Sequence, residues 1–177
     1  FLSREDIRHS FSFLKAYSGS AATFNTYRRD LERLLQWSEK VCNKSLKEIK
    51  RDDIEEFVYF CQKPPKTWIG LQKTTRFITQ EGERVPNPLW RPFMAIISKS
   101  ATKKGEKVTV KDFEFSQTSI KDLFATLSSF YNYLIQEEYV FMNPVALIRQ
   151  KSKFIRKHQG PNKIRRLTDV QWKYVIN

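Results

Sequence analysis

SAATFNTYRRDLERLLQWSEKVC, residues 20–42, is the stretch whose reading decides the fold. Phe24, Tyr27, Leu31, Leu34, Leu35 and Val41 recur within it at helical spacings, mostly of three and four, which return side chains to one face of a helix. Arg28, Arg29 and Arg33 fall off that apolar stripe. A helix with one face for a core and several arginines beyond it is a candidate for lying against nucleic acid, although exposed arginines are also ordinary on any helix surface. The rest of the chain has to decide.

The chain of 177 residues is long enough for one well-filled domain, or one domain with a small appendage. Thirty-two Lys and Arg against 19 Asp and Glu leave a formal charge of +13, which favours a polyanionic partner. No apolar run approaches the roughly 18 residues of a spanning helix, and the amino terminus does not read as a signal peptide, so nucleic acid leads over membrane. Cys42 and Cys61 are the only cysteines and form no CxxC pair, which fits buried thiols in a reducing, cytoplasmic setting. With His9 and His158 they have no recognisable zinc-ligand spacing, so no metal and no cofactor is expected.

Working outward, residues 3–15 place Ile7, Phe11 and Leu14 on a helical repeat after Ser3, a candidate cap, with Glu5 and Asp6 in the first turn. Residues 43–50 form a connector whose Leu46 and Ile49 turn inward. Asp52 and Glu55 have capping-box spacing, and Ile54, Phe57, Val58 and Cys61 then stripe a helix that Pro64 and Pro65 stop. Between 63 and 115 the texture becomes that of an irregular insert rich in proline and glycine. Residues 74–79 and 84–85 flank a candidate hairpin turn at 80–83, and 106–115 alternates like a further strand. Trp68, Trp90, Phe93, Ile96 and Ile97 are too many large apolar groups for a flexible linker, so the insert is expected to pack on the helices.

Residues 116–139 restore helical periodicity through Ile120, Leu123, Phe124, Leu127, Phe130, Tyr131, Leu134 and Ile135. The opposite face, with Thr118, Ser119, Lys121, Thr126, Ser129 and Asn132, is small and polar; taken alone, it reads first as a solvated face. Asn143 and Pro144 end the helix. No acid occurs between Glu138 and Asp169, whereas Arg149, Lys151, Lys153, Arg156, Lys157, Lys163, Arg165 and Arg166 are all basic, the signature of a charged linker. Leu167 and Thr168 open a new helical pattern that the chain end interrupts.

These pieces, in this order, resemble the amino-terminal part of a tyrosine recombinase of the phage-integrase type. TFNTYRRDLERLLQW at 23–37 resembles that family's first core-binding helix, and SLKEIKRDDIEEF at 45–57 its connector and next helix. SIKDLFATLSSFYNYLIQEEYVFMNP at 119–144 is similar to the helix before the family's asparagine-proline stop, and RRLTDVQW at 165–172 to the start of the catalytic domain. PNPLWRPF at 86–93 resembles an element of longer integrases from bacterial mobile elements, while the long insert departs from the compact family pattern.

The resemblance implies a mainly α fold, a four-to-five-helix core-binding, SAM-like bundle with an irregular insert that has room for short β-strands. It implies a core-binding DNA-binding domain at 1–148, with the insert at about 63–115, a basic interdomain linker at 149–166, and the truncated start of a catalytic domain at 167–177. The implied partners are double-stranded DNA and other recombinase subunits of the full-length protein, with no membrane or small-molecule substrate. The implied origin is bacterial or phage. The full-length enzyme would use a tyrosine to attack a DNA phosphodiester, with basic groups stabilising the charged transition state. None of those catalytic residues is assigned in this chain, and Tyr174 is not the nucleophile. The resemblance places Thr26, Arg28, Arg29 and Arg33 from one helix, and Thr118, Ser119 and Lys121 from another, at the major groove. It makes Lys151, Lys153, Arg156, Lys157, Arg165 and Arg166 phosphate contacts. A non-enzymatic helical DNA-binding regulator or accessory factor, or a module with an acidic protein partner, would also present such a basic surface.

Overall fold

The computed structural model describes residues 2–98, 100, 103, 105–155 and 172. Helix α1 spans Arg4–Ala16. Ser3 caps it: its hydroxyl accepts from the Asp6 N–H at 3.0 Å, and Asp6 Oδ2 accepts from the Ser3 N–H at 2.7 Å. The buried face differs from the apolar spacing. Asp6, His9, Ser10 and Phe13 turn inward, while Ile7 and Phe11 remain 51% and 67% exposed. Polar groups can occupy the inner face because they are satisfied there; the Ser10 hydroxyl, for instance, donates to the Asp6 carbonyl at 2.7 Å.

Helix α2 spans Ala21–Trp37 with Ser20 as its N-cap, and runs on through a wider turn, Ser38–Cys42, that Asn43 ends in the left-handed region at φ 54°. Leu31, Leu34 and Trp37 are buried, Tyr27 packs half-buried on the core, and Val41 is exposed. Arg33 does not lie off this stripe: it is buried, with 9% exposure.

Leu46 and Ile49 of the connector turn inward as expected. Helix α3, Arg51–Gln62, buries Ile54, Phe57, Val58 and Cys61 and stops before Pro64. Its cap sits two residues before the expected Asp52–Glu55 pair, at Lys50 and Asp53. Asp53 instead accepts from the Lys50 N–H at 2.8 Å and pairs with Lys44 Nζ at 2.6 Å.

In the insert, β1 (Ile69–Gly70) pairs in parallel with β4 (Phe93–Met94), while β2 (Phe77–Gln80) and β3 (Glu83–Pro86) form an antiparallel hairpin. Its two turn residues, Glu81 and Gly82, both have positive φ, at 52° and 83°, the combination whose twist suits a two-residue hairpin and which makes glycine useful at the second position. The expected strand at 106–115 is not formed. Thr109 N and Oγ1 both donate to Asp112 Oδ2, at 2.7 and 2.8 Å, and this local capping holds a short turn, Val110–Asp112, in place of a ladder. Phe93 is fully buried and Trp68, Trp90 and Ile97 are half-buried, so the insert packs on the helices, although Ile96 stays 74% exposed.

Helix α4 spans Gln117–Gln136, capped by Ser116, and buries Ile120, Leu123, Phe124, Leu127, Phe130, Tyr131 and Leu134; Ile135 lies at the edge, 37% exposed. Asn143 shows why the asparagine-proline stop is effective. Its Nδ2 donates to Asn132 Oδ1 at 2.7 Å and the Ser128 carbonyl at 3.1 Å, and its Oδ1 accepts from Val145 N at 2.9 Å, pinning the outgoing chain to α4. The fold is mainly α, consistent with a SAM-like domain.

Helices α1, α2 and α4 close around Phe13, whose ring meets Tyr27 at 5.4 Å and Phe130 at 5.2 Å. Trp37 joins α3 through Phe57 at 5.2 Å. Phe154, within the stretch read as linker, is also core: it is 2% exposed and lies 4.9 Å from Tyr59 and 5.7 Å from Phe124.

Asp6 fastens this bundle at one end. Its side chain accepts from Ser3 N, Tyr139 Oη at 2.8 Å, Leu46 N at 3.1 Å and Ser45 Oγ at 3.2 Å, so one carboxylate joins α1, the connector and the chain after α4. Asp6→Ala strands those buried donors and is expected to lower unfolding free energy by about 2–4 kcal/mol in urea titration, since a lost charged hydrogen bond typically costs about 1.5–3 kcal/mol. Tyr139→Phe, which removes one donor and leaves the other three, is expected to cost clearly less.

Candidate nucleic-acid interface

The residues expected at a nucleic-acid surface divide into three environments. Arg33 is structural. Its Nη1 donates to Asp30 Oδ1 at 3.1 Å and its Nε to the Pro92 carbonyl at 3.0 Å, with the guanidinium 4.8 Å from the Phe93 ring and 5.4 Å from that of Phe115. It is enclosed by α2, the insert and the start of α4, so it is unavailable to a partner in this structure, a correction to its place among the exposed arginines. Asp30 is 1% exposed and takes a further bond from Thr126 Oγ1 of α4 at 3.2 Å. Burial pushes the Asp30 carboxyl above the usual carboxylate range, opposed by the guanidiniums of Arg29 and Arg33; burial likewise lowers Arg33, opposed chiefly by Asp30.

A second set lies on the rim where α2 meets α4. The Asp30–Thr126 bond fixes the two helices together, and residues three or four positions away return to the same side. Thr26 on α2 is therefore on Asp30's side, while Ser119 and Ser129 on α4 are on Thr126's side. Arg29 is exposed at the edge of α2, with Nε 3.3 Å from Asp30 Oδ1. Thr118 is exposed in the first turn of α4, and Ser119 is half-buried with its hydroxyl 3.0 Å from that of Ser116. Lys121, also exposed, is five residues from Thr126 and so stands about 140° around α4 from it, off this rim. Asp122, also exposed, puts a negative charge beside Lys121.

Arg28 is apart from these. Two residues from Thr26, it projects about 200° around the helix from it, where its Nη2 donates to Asn25 Oδ1 at 2.8 Å and its guanidinium lies 5.3 Å from the Phe24 ring. The helix spacing thus never brings Thr26, Arg28, Arg29 and Arg33 to one surface.

In the basic stretch after α4, Lys151 is half-buried with its Nζ 5.6 Å from the Phe124 ring, and Lys153 pairs with Glu55. A phosphate would have to displace Glu55 to use Lys153. Arg156, Lys157, Arg165 and Arg166 lie outside the described residues.

Sequence reasoning missed how the insert covers α2. Arg76 forks onto Glu32 through Nε at 2.6 Å and Nη2 at 2.7 Å, and its guanidinium lies 5.3 Å from the Trp90 ring. The insert thereby lies across the outer side of α2's carboxy-terminal half and leaves the amino-terminal half, up to Arg29, as its open basic surface. An acid at Glu32 between arginines was the available signal; its partner, 44 residues away, was not.

Residues 10–82 match the family model described as the phage integrase N-terminal SAM-like domain. The matched range holds most of α1, all of α2 and α3, and ends at Gly82 in the hairpin turn, before α4. It bears out the resemblance to a tyrosine recombinase amino-terminal domain; tyrosine recombinases are enzymes. No curated protein and no solved structure matches the chain. No helix among the described residues is long and apolar enough to cross a membrane.

Removing Asp30 strands a buried arginine, whereas replacing both partners does not. Asp30→Ala is expected to cost about 3–5 kcal/mol, and the double change Asp30→Leu with Arg33→Met to restore much of that loss, as measured by chemical denaturation. Cys61 offers a second check. Burial raises its thiol far above the ordinary value and that of half-buried Cys42 less, so a thiol reagent is expected to label Cys42 first in the native protein and Cys61 only upon unfolding.

Proposed function

We propose, from the premise that residues 10–82 form a tyrosine-recombinase amino-terminal domain, that the chain is the DNA-binding portion of a site-specific recombinase or integrase of a mobile element. It grips duplex DNA while a following domain performs strand exchange. The observation that carries this reading is the coincidence of that domain with a net charge of +13.

In this reading the chain divides into a core-binding domain at 1–148, a basic linker at 149–166 whose first residues are held on the core by Phe154, and the start of a catalytic domain at 167–177. Thr26, Arg29, Thr118 and Ser119 form the main contact rim, Lys121 adds a cation about 140° around α4 from Thr126, and Arg28 reaches the duplex from the other side of α2. Lys151, Lys153, Arg156, Lys157, Arg165 and Arg166 neutralise phosphates without reading sequence. Arg33 has no direct contact and instead holds the rim's two helices in register through Asp30. The partners are double-stranded DNA and, in the full-length recombinase, further subunits; the site of action is the cytoplasm of a bacterial host. The chain itself supplies no catalytic group, and the tyrosine chemistry belongs to the longer enzyme.

Fluorescence anisotropy with a labelled duplex tests this reading. The chain is expected to bind, and log K to fall against log salt by about 0.9 for each phosphate neutralised. Salt-independent binding, or none at low salt, would overturn it. Lys121→Glu and Arg28→Glu are each expected to weaken binding while leaving the thermal midpoint nearly unchanged, because neither residue forms an ion pair among the described residues. Arg29→Glu is a poorer test, since it faces a new carboxylate toward buried Asp30.

A further inference from the structure

An apolar groove lies on a different side of α4 from the α2–α4 rim. Leu46 and Ile49 of the connector form its floor with Tyr131, and Val140, Phe141 and Leu147 flank it, enclosing about 500 Å³. This is within the roughly 300–1,000 Å³ typical of ligand sites. Tyr131 and Thr126 are five residues apart and so point about 140° apart around the helix.

Two features separate this groove from ordinary surface. Large apolar side chains stand unprotected beside it: Phe141 is fully exposed at 100%, Met142 61% and Leu147 47%. Scattered apolar residues are normal on a surface, but three within seven residues bordering a hollow form a patch. Its rim is also basic. Lys47, Lys50, Arg51 and Arg149 surround it, and Asp52, the one acid lining the groove, is already paired with Arg51 at 2.7 Å.

We propose that this groove docks an acidic segment of a partner protein, whose large apolar side chains fill the hollow while its carboxylates meet Lys47, Lys50 and Arg149. Charge complementarity selects an acidic partner over a basic one, and the exposed Phe141 and Met142 select a peptide over nucleic acid. A phosphate backbone would satisfy the cations and leave the apolar side chains in water. The geometry suits an amphipathic helix with anchors three and four residues apart laid into a groove. Because the groove and the α2–α4 rim are on different sides of α4, such a partner can bind alongside DNA.

The test uses the 177-residue chain and a fluorescein-labelled amphipathic helical peptide made of Glu and Leu, with a Lys and Leu peptide of the same pattern as control. The acidic peptide is expected to bind with Kd on the order of tens of micromolar, and the basic one not to bind. Phe141→Ser with Met142→Ser, both at exposed positions, is expected to weaken binding about tenfold, a change of about 1.4 kcal/mol. Lys50→Glu with Arg149→Glu is expected to reverse the preference between the peptides. Unaltered far-UV circular dichroism and thermal midpoint show that these variants remain folded. The proposal is overturned if the acidic peptide fails to bind at millimolar concentration, as it would if the chain's own downstream residues filled the groove. It is also overturned if the apolar variant binds equally well, if duplex DNA competes with the peptide and needs Phe141 to bind, or if Phe141 and Met142 instead mediate self-association in sedimentation.

Discussion

The buried pair of Asp30 and Arg33 is the interaction on which the candidate surface depends. Asp30 ties α2 to α4 through Thr126, and Arg33 ties the same turn of α2 to the insert through the Pro92 carbonyl and the Phe93 ring. A carboxylate and a guanidinium out of water are costly, and replacing such a pair with apolar groups is often neutral or favourable. What the pair supplies is direction. An apolar contact tolerates sliding by part of a helical turn, whereas the bonds at Asp30 fix which residues of α2 stand next to which residues of α4. The positions of Thr26, Arg29 and Ser119 follow from that register.

The insert has a comparable effect from outside. By clamping Glu32 with Arg76 and covering the flank with Trp90, it removes half of α2 from the surface available to a large partner. The same segment contributes a core residue, Phe93, which meets Phe60, Phe113 and Phe115 at 6.2, 5.6 and 6.3 Å. Aromatic rings in such edge-on or tilted arrangements carry burial and a modest geometric preference together. The insert is therefore integral to the domain's packing, and its hairpin projects from a base that the core itself holds.

Most of the helical fold was legible in sequence because it follows from one-dimensional signals. The stripes of α2, α3 and α4, the cap at Ser3, the proline stop after α3 and the glycine hairpin all act within a few residues. The errors have a common cause. Hydrophobic spacing assigned Ile7 and Phe11 to the core and Arg33 to solvent, and each was reversed by a polar residue satisfied by something distant in sequence. Asp6 meets Tyr139, 133 residues away, and Asp30 meets Thr126, 96 residues away. No period along a helix encodes such a partner. The strand expected at 106–115 failed for the opposite reason, a bond so local, Thr109 to Asp112, that it competed with the ladder.

Asp30 and Asp53 also explain how a strongly basic chain keeps most of its cations outside. Apart from Arg33, the buried charged side chains of the described core are the acids Asp6, Asp30 and Asp53. Asp6 accepts only from neutral donors, while Asp30 and Asp53 also take Arg or Lys at their edge and so anchor cations around the bundle. Lys44 at Asp53 and Arg29 at Asp30 are both held by their inner partner while their outer side stays toward solvent. A buried carboxylate thus orders a surface cation, reducing the rotamer entropy that cation would otherwise lose on meeting an anion. Such a surface has its positive groups already placed by the core, and Arg29, at the open edge of α2, is where that arrangement bears most directly on the rim.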